Sequence, residues 1–147
     1  MTPFLPLLML WVTAGLPAEP GGDTWLQRDM IELINRVRAR GCRCGQTAWA
    51  PAPPLRWDDR LAKAARRHAR DMARHRRFQH TGSDGSTTSE RVRESGFSYR
   101  LVGENIAFGQ RSLEEVVAHW LKSPPHCRNI MNPAYHQMGG AFENGFW

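Results

Sequence analysis

The chain has 147 residues, 41% of them hydrophobic and 23% charged. That suits one globular domain with a real core and leaves no room for a second. A formal net charge of +6 and a pI near 10.0 favour anionic surroundings: envelope polymers, acidic lipid headgroups or nucleic acid.

Phe4 to Val12 is a short, nearly continuous apolar run, followed by small residues and prolines through Ala18 to Gly22. It is too short to span a bilayer, which takes roughly 20 residues. It reads as the apolar region of a signal peptide over residues 1–18, cleaved after Ala14 or Ala18. No Lys or Arg precedes the run, which is atypical of such leaders. A secreted, periplasmic or extracellular location is the expectation. Residues 19–24 read as a Pro/Gly linker, and 25–147 as the folded domain.

Asp23 or Thr24 can cap a first helix over 25–40, in which Leu26, Met30, Leu33, Ile34 and Val37 recur at helical spacing. Gly41 ends it. Residues 41–54, with two cysteines and the run Pro51-Ala52-Pro53-Pro54, read as a loop. Asp58 or Asp59 caps a second helix that reaches Arg77, with Leu61, Ala65, His68 and Met72 on one face. Its other faces carry much of the basic charge. His68 reads as a core residue and His75 as a surface one. A basic helix without interleaved aromatics does not point to nucleic acid; a solvated face, or docking on an anionic surface, fits it better.

Thr87-Thr88-Ser89-Glu90 and Ser112-Leu113-Glu114-Glu115 are capping boxes, each opening a helix. The second helix stops before Pro124-Pro125, because a residue before proline disfavours α geometry. His126–Met131 then reads as a strand or extended segment, and Met138–Phe142 as another strand candidate. Asn144-Gly145 is a hairpin signal. Helices with a few short late strands imply an α+β fold.

The chemistry concentrates at three places. His80 lies in a Gly/Ser/Asp-rich loop, Glu104 and Asn105 lie between Gly103 and Gly109, and His126 follows two prolines. Two imidazoles and a carboxylate have the donors of a zinc-type triad with an open position. They are equally the makings of an acid/base set or of a polar network pinning three loops. There is no nucleophile elbow, P-loop or dinucleotide fingerprint. Cys42, Cys44 and Cys127 allow one bridge and leave one thiol, and Cys42 and Cys44 are too close to pair comfortably. A Cys44–Cys127 bridge would close a loop of about 80 residues, worth roughly 4–5 kcal/mol in the chain-entropy account. The three cysteines are also a possible zinc set.

Read together, the motifs resemble the CAP superfamily of cysteine-rich secretory proteins, antigen 5 and pathogenesis-related class 1 proteins, also called the SCP domain. The resemblance runs from about Ile31 to Phe142 and is closest to the small secreted bacterial branch. Its carriers are Leu33-Ile34-Asn35-x-x-Arg38, Cys44-Gly45, Pro54-Leu55-x-Trp57, Ala64-Ala65-x-x-His68-Ala69-x-Asp71-Met72 and Phe78-x-His80-Thr81-Gly82-Ser83-Asp84-Gly85. Further on come Gly103-Glu104-Asn105-Ile106-Ala107, Trp120-x-x-Ser123-Pro124-x-His126-Cys127-x-Asn129-Ile130-Met131 and Met138-Gly139.

The resemblance implies a three-layer α-β-α sandwich with a cleft holding two histidines and two acids. His80, Glu104 and His126 take three of those places, and Ser123 stands at the fourth. Zinc or another divalent cation on His80, His126 and Glu104 is the implied cofactor. Such proteins continue after the Gly139 strand with a returning strand, so the small antiparallel sheet is expected one strand short here unless the sequence is a piece of a longer chain. The expected role is a non-catalytic module binding a lipid, glycan or protein through the cleft and surface grooves, with no catalytic residue assigned. The alternatives are a metal-dependent hydrolase using His80, Glu104 and His126, and an envelope-associated or defence protein held by its basic helix.

Overall fold

A computed structural model of the chain describes residues 24–147. The signal peptide expected over 1–18 and the linker up to Asp23 lie outside the described residues. Within them, helices α1 (Thr24–Arg40), α4 (Leu113–Lys122) and α5 (Pro124–Met131) pack together in one layer, and α2 (Asp59–His75) and α3 (Thr88–Glu94) in another. Between the layers run short strands β3 (Arg56–Trp57) and β4 (Gln137–Met138) and the irregular segments 101–109 and 139–147. This is the α-β-α arrangement the motifs imply. The β3–β4 ladder pairs parallel, whereas the bridges Phe108–Phe146 and Glu143–Phe146 are antiparallel.

Helix boundaries follow local chemistry. The Asp58 side chain accepts from the Arg60 amide to start α2, and Arg76 in left-handed geometry ends it. Thr87 and Glu90 form the full reciprocal capping box of α3. Ser112 caps α4, but Glu115 reaches back to the Arg111 amide rather than to Ser112. Gly41, at φ +69°, closes α1; a Cβ there would lie 2.6 Å from the Trp49 carbonyl oxygen.

Three expectations are corrected. Residues 41–54 are not all loop: β1 (Cys42–Cys44) and β2 (Thr47–Trp49) form an antiparallel hairpin around Gly45. His126–Met131 is helical, not extended. Ser123, in extended geometry, separates α4 from α5, and the prolines that end α4 occupy the first turn of α5, where a missing N–H costs nothing and a fixed φ is already helical. On α2 the buried face is Ala62, Ala64, His68, Ala69 and Met72, with Leu61 and Ala65 only half-buried. Small residues let the sheet approach closely; a Cβ at Gly139 would run into the α2 backbone at Ala62.

The core joins Leu26, Met30 and Ile34 of α1 to Val116, Val117 and Trp120 of α4 and Ile130 and Met131 of α5. Inside it lies Arg38, fully buried. Its guanidinium donates to the carbonyls of Pro53 (2.8 Å), Ile130 (2.6 Å) and Asn132 (3.0 Å). A cation at the C-terminal end of α5 satisfies carbonyls that the helix leaves unpaired. Asn35 similarly exchanges two hydrogen bonds with the Leu55 main chain.

Cys44 and Cys127 form a disulfide that ties the hairpin to α5. The Cys42 thiol lies 3.5 Å from the Cys127 sulfur, and burial pushes its pKa up. Two of the three sulfurs are thus spent on the bridge, which removes them as zinc ligands. Cys127→Ala is expected to lower unfolding free energy by about 4 kcal/mol, measured by chemical denaturation. Cys44→Ala is expected to lose less, because Cys42 can pair with Cys127; non-reducing peptide mapping would show that bridge.

Candidate functional site

Glu104 sits in the segment after Gly103, between the two helical layers, with its side chain 16% exposed. Both carboxylate oxygens are engaged. One accepts from His80 Nδ1 at 2.8 Å, and the other from the Arg91 guanidinium at 2.7 Å. Arg91, on α3, is 2% exposed and also donates to the carbonyls of Ser86 (2.8 Å) and His80 (3.0 Å). One guanidinium therefore fixes the carboxylate and both ends of the loop that carries His80. The capping box of α3 aims Arg91 at that loop, and among the described residues Glu104 is the acid that matches its buried charge.

Arg91 is the functional residue that sequence reasoning missed. In the sequence it is one arginine in Glu90-Arg91-Val92-Arg93, and nothing in its spacing distinguishes it from exposed Arg93.

His80 is the accessible member, with its side chain 55% exposed. His126, in the first turn of α5, is partly buried; its Nδ1 is enclosed and has no partner. Burial, with His80 and His119 nearby, pushes its pKa down, so its ring stays neutral at lower pH than a free imidazole. Asn105 donates to the His126 carbonyl at 3.1 Å and accepts from Asn129 at 2.9 Å, and Asn129 also donates to the Glu104 carbonyl. The Gly103–Ile106 segment and α5 are thus stitched together by two amides. Ser123 is half-buried and its side chain makes no cap to α5.

His68 is buried as expected, yet it belongs to this neighbourhood. Its Nε2 lies 2.9 Å from the Gln79 carbonyl and 4.0 Å from Glu104. Desolvation pushes its pKa down, outweighing the opposing pull of Glu104. His75 is exposed and contacts Asp71.

Among the described residues, the one group of three or more His, Cys, Asp or Glu side chains placed to share a metal ion is Cys42, Cys44 and Cys127, with ligand atoms within 4.8 Å of one another. Each Glu104 oxygen already accepts a hydrogen bond, one from His80 and one from Arg91. Its bond to His80 Nδ1 does, however, orient the other ring nitrogen, as carboxylates behind metal-bound histidines do. The side chains left as candidate cation donors are therefore His80 and His126, with Glu104 behind His80.

An apolar cavity of about 640 Å³ lies behind this cleft. It reaches Glu104, Asn105 and Arg91 but neither His80 nor His126. On the outer face of α2, Arg60 pairs with Asp58, Arg67 with Asp84 and Glu94, and Arg70 with Glu143.

Glu104→Gln leaves Arg91 buried without its counter-charge and is expected to cost about 3 kcal/mol, read by chemical denaturation. The depressed His68 pKa gives a signed pH dependence. The unfolded chain takes up a proton near 6.5 and the folded one only lower, so stability is complete above that pH and falls as pH drops below it. Thermal unfolding between pH 7 and pH 5 is expected to show this loss, with a shallower slope in His68→Gln.

The profile of the cysteine-rich secretory protein family matches residues 31–145. The uncharacterized protein YkwD of Bacillus subtilis is 39% identical over 127 residues, which cover 86% of this chain and 46% of YkwD. The chain thus spans about half the length of that relative. An extracellular SCP-domain protein of Bacillus anthracis superposes with a TM-score of 0.73 at 26% identity, covering 82% of this chain and 37% of that one. An outer surface protein of Borrelia burgdorferi superposes with a TM-score of 0.61 at 27% identity, covering 80% and 77%. No helix among the described residues is long and apolar enough to cross a membrane. With the motifs in place, the fold matched and the profile covering most of the sequence, this chain belongs to the cysteine-rich secretory protein (CAP) family.

Proposed function

We propose that the protein is an extracellular binding module whose cleft, formed by His80, Glu104, Asn105, Ser123 and His126, holds a ligand without transforming it. The observation that carries this reading is the double engagement of Glu104. Its carboxylate already accepts from a buried guanidinium at 2.7 Å and from an imidazole at 2.8 Å, so it would have to give up one of these bonds to serve a substrate as general base. Ser123 adds no second acid. What the cleft offers instead is an exposed imidazole on a rigid frame of main chain and amides, suited to hydrogen-bonding a glycan or a polar protein segment; a lipid would need the apolar surface behind it. Export and an extracellular location rest on the leader-like Phe4–Val12 run and on the extracellular and surface relatives.

Divalent-cation binding is a second reading, favoured by the orphaned His126 Nδ1 and by the carboxylate behind His80. His80 and His126 would hold the ion, and Glu104 would orient His80. A bound divalent cation would polarise a carbonyl or lower the pKa of a bound water. The hydrolase alternative needs this site and a base besides Glu104. Attachment through the basic helix has less support, because Arg60, Arg67 and Arg70 already serve intramolecular ion pairs.

Assays on peptides and envelope polymers, with and without zinc, are expected to show no turnover that depends on His80. Zinc-stimulated hydrolysis abolished by His80→Ala would replace the binding reading with the hydrolase. Zinc calorimetry tests the cation: one-site binding is expected, lost in His80→Ala/His126→Ala. An orienting role for Glu104 predicts about 10- to 100-fold weaker binding in Glu104→Gln.

A further inference from the structure

The end of α2 gathers basic charge that the fold does not use. Arg74, His75, Arg76, Arg77 and Phe78 are consecutive, and all are exposed. The helix dipole favours Arg74 and His75 in the last turn, but Arg76, Arg77 and Phe78 lie beyond that turn. His75 contacts Asp71 at 3.1 Å. Among the described residues, no acid pairs with Arg74, Arg76 or Arg77. Arg77 reaches only the Gln79 side-chain oxygen, at 3.5 Å. In the same stretch Phe78 is 54% exposed, as much as any large hydrophobic side chain among the described residues.

The turn is held on both sides. The Arg76 and Arg77 amides both donate to the carbonyl of buried Met72, with Arg76 in left-handed geometry at φ +50°. Two residues on, the Gln79 carbonyl accepts from the ring of buried His68 at 2.9 Å. Four basic side chains and one phenyl ring thus share a pinned, solvent-exposed turn. Neither feature helps this chain to fold. The cations have no acid to neutralise, and a ring left half in water contributes little burial.

We propose that this turn docks the protein on an anionic phospholipid surface, with Arg74, Arg76 and Arg77 on headgroup phosphates and Phe78 at the boundary with the acyl chains. The two parts of the turn make different demands. Guanidinium groups pair with phosphate, and any polyanion would satisfy them. A phenyl ring gains only where it leaves water, and a soluble polyanion has no such place to offer. An anionic bilayer supplies both. The contact is peripheral, because no helix among the described residues is long and apolar enough to cross a membrane. It also differs from attachment along the outer face of α2, where Arg60, Arg67 and Arg70 are engaged within the chain. His80 lies two residues after Phe78, so docking sets the cleft beside the headgroups. The proposal does not depend on what that cleft binds.

Vesicle co-sedimentation of the full chain tests it, with phosphatidylcholine alone and with phosphatidylcholine mixed with phosphatidylglycerol. The apolar Phe4–Val12 run is the same in every variant, so ratios between variants report the turn. Stronger partition onto the phosphatidylglycerol vesicles is expected, with the gain lost at high salt. An arginine near such a surface contributes about fivefold, so Arg76→Ala/Arg77→Ala is expected to weaken binding to these vesicles about 25-fold. Its binding to pure phosphatidylcholine is expected to stay unchanged. Phe78→Ser is expected to weaken binding to the anionic vesicles about fivefold. All these positions are exposed, as are Arg100 and Arg128, which serve as controls. Arg76→Ala/Arg77→Ala within twofold of the parent on anionic vesicles overturns the proposal. So does an equal loss in Arg100→Ala/Arg128→Ala, because net charge rather than the turn would then be responsible. Phe78→Ser binding as tightly as the parent overturns the lipid as partner, since the turn would then read charge alone, as it would on soluble polyphosphate.

Discussion

The ion pair between Arg91 and Glu104 is the constraint on which the site depends. Two charges taken out of water are tolerable only with tight geometry and with their remaining donors and acceptors satisfied. Here the remaining guanidinium hydrogens go to the loop that bears His80, and the remaining carboxylate oxygen goes to the His80 ring. The electrostatic need of one buried arginine thus sets the position of the accessible imidazole. It also explains why a glutamate between glycines, in a segment with little regular structure, is held in one place. Asn105 and Asn129 continue the arrangement to α5, so the cleft is built from three stretches of chain that share no secondary-structure element.

A second buried arginine organises the scaffold in the same manner without reaching the cleft. Arg38 collects carbonyls from the Pro53 loop and from the end of α5, and the Cys44–Cys127 disulfide fastens the middle of that helix to the β1–β2 hairpin. Helix α5 is therefore tied at its middle and its end, with His126 partly buried and its neighbour Cys127 wholly so. Two consecutive residues diverge here through the rotation of a helix, whereas an extended segment would have separated them by alternation.

The features legible in the sequence are largely those whose side chains close a local geometric problem. Thr87 and Glu90 make a capping box because both partners lie within one turn, and Gly41 turns left-handed because a Cβ would strike Trp49. Such features are visible in sequence because cause and effect are a few residues apart. The strand expected at His126–Met131 failed for a related reason: a proline pair is a stop signal for the preceding helix and equally a start signal for the next, and periodicity over so short a run does not separate the two. The face assigned to α2 was displaced because it was drawn through the larger Leu61, while the sheet packs where the side chains are smallest.

What the amino-acid sequence determined by itself was the α+β class and, within a residue or two, the bounds of α1 to α4, while it marked His80, Glu104 and His126 as candidates. These follow from residue type, spacing and turn chemistry. What only the tertiary structure decided was which charges meet. Arg91 and Arg93 look alike in the sequence, yet one is buried against Glu104 and the other is exposed; burial depends on where α3 docks, and no local signal encodes that.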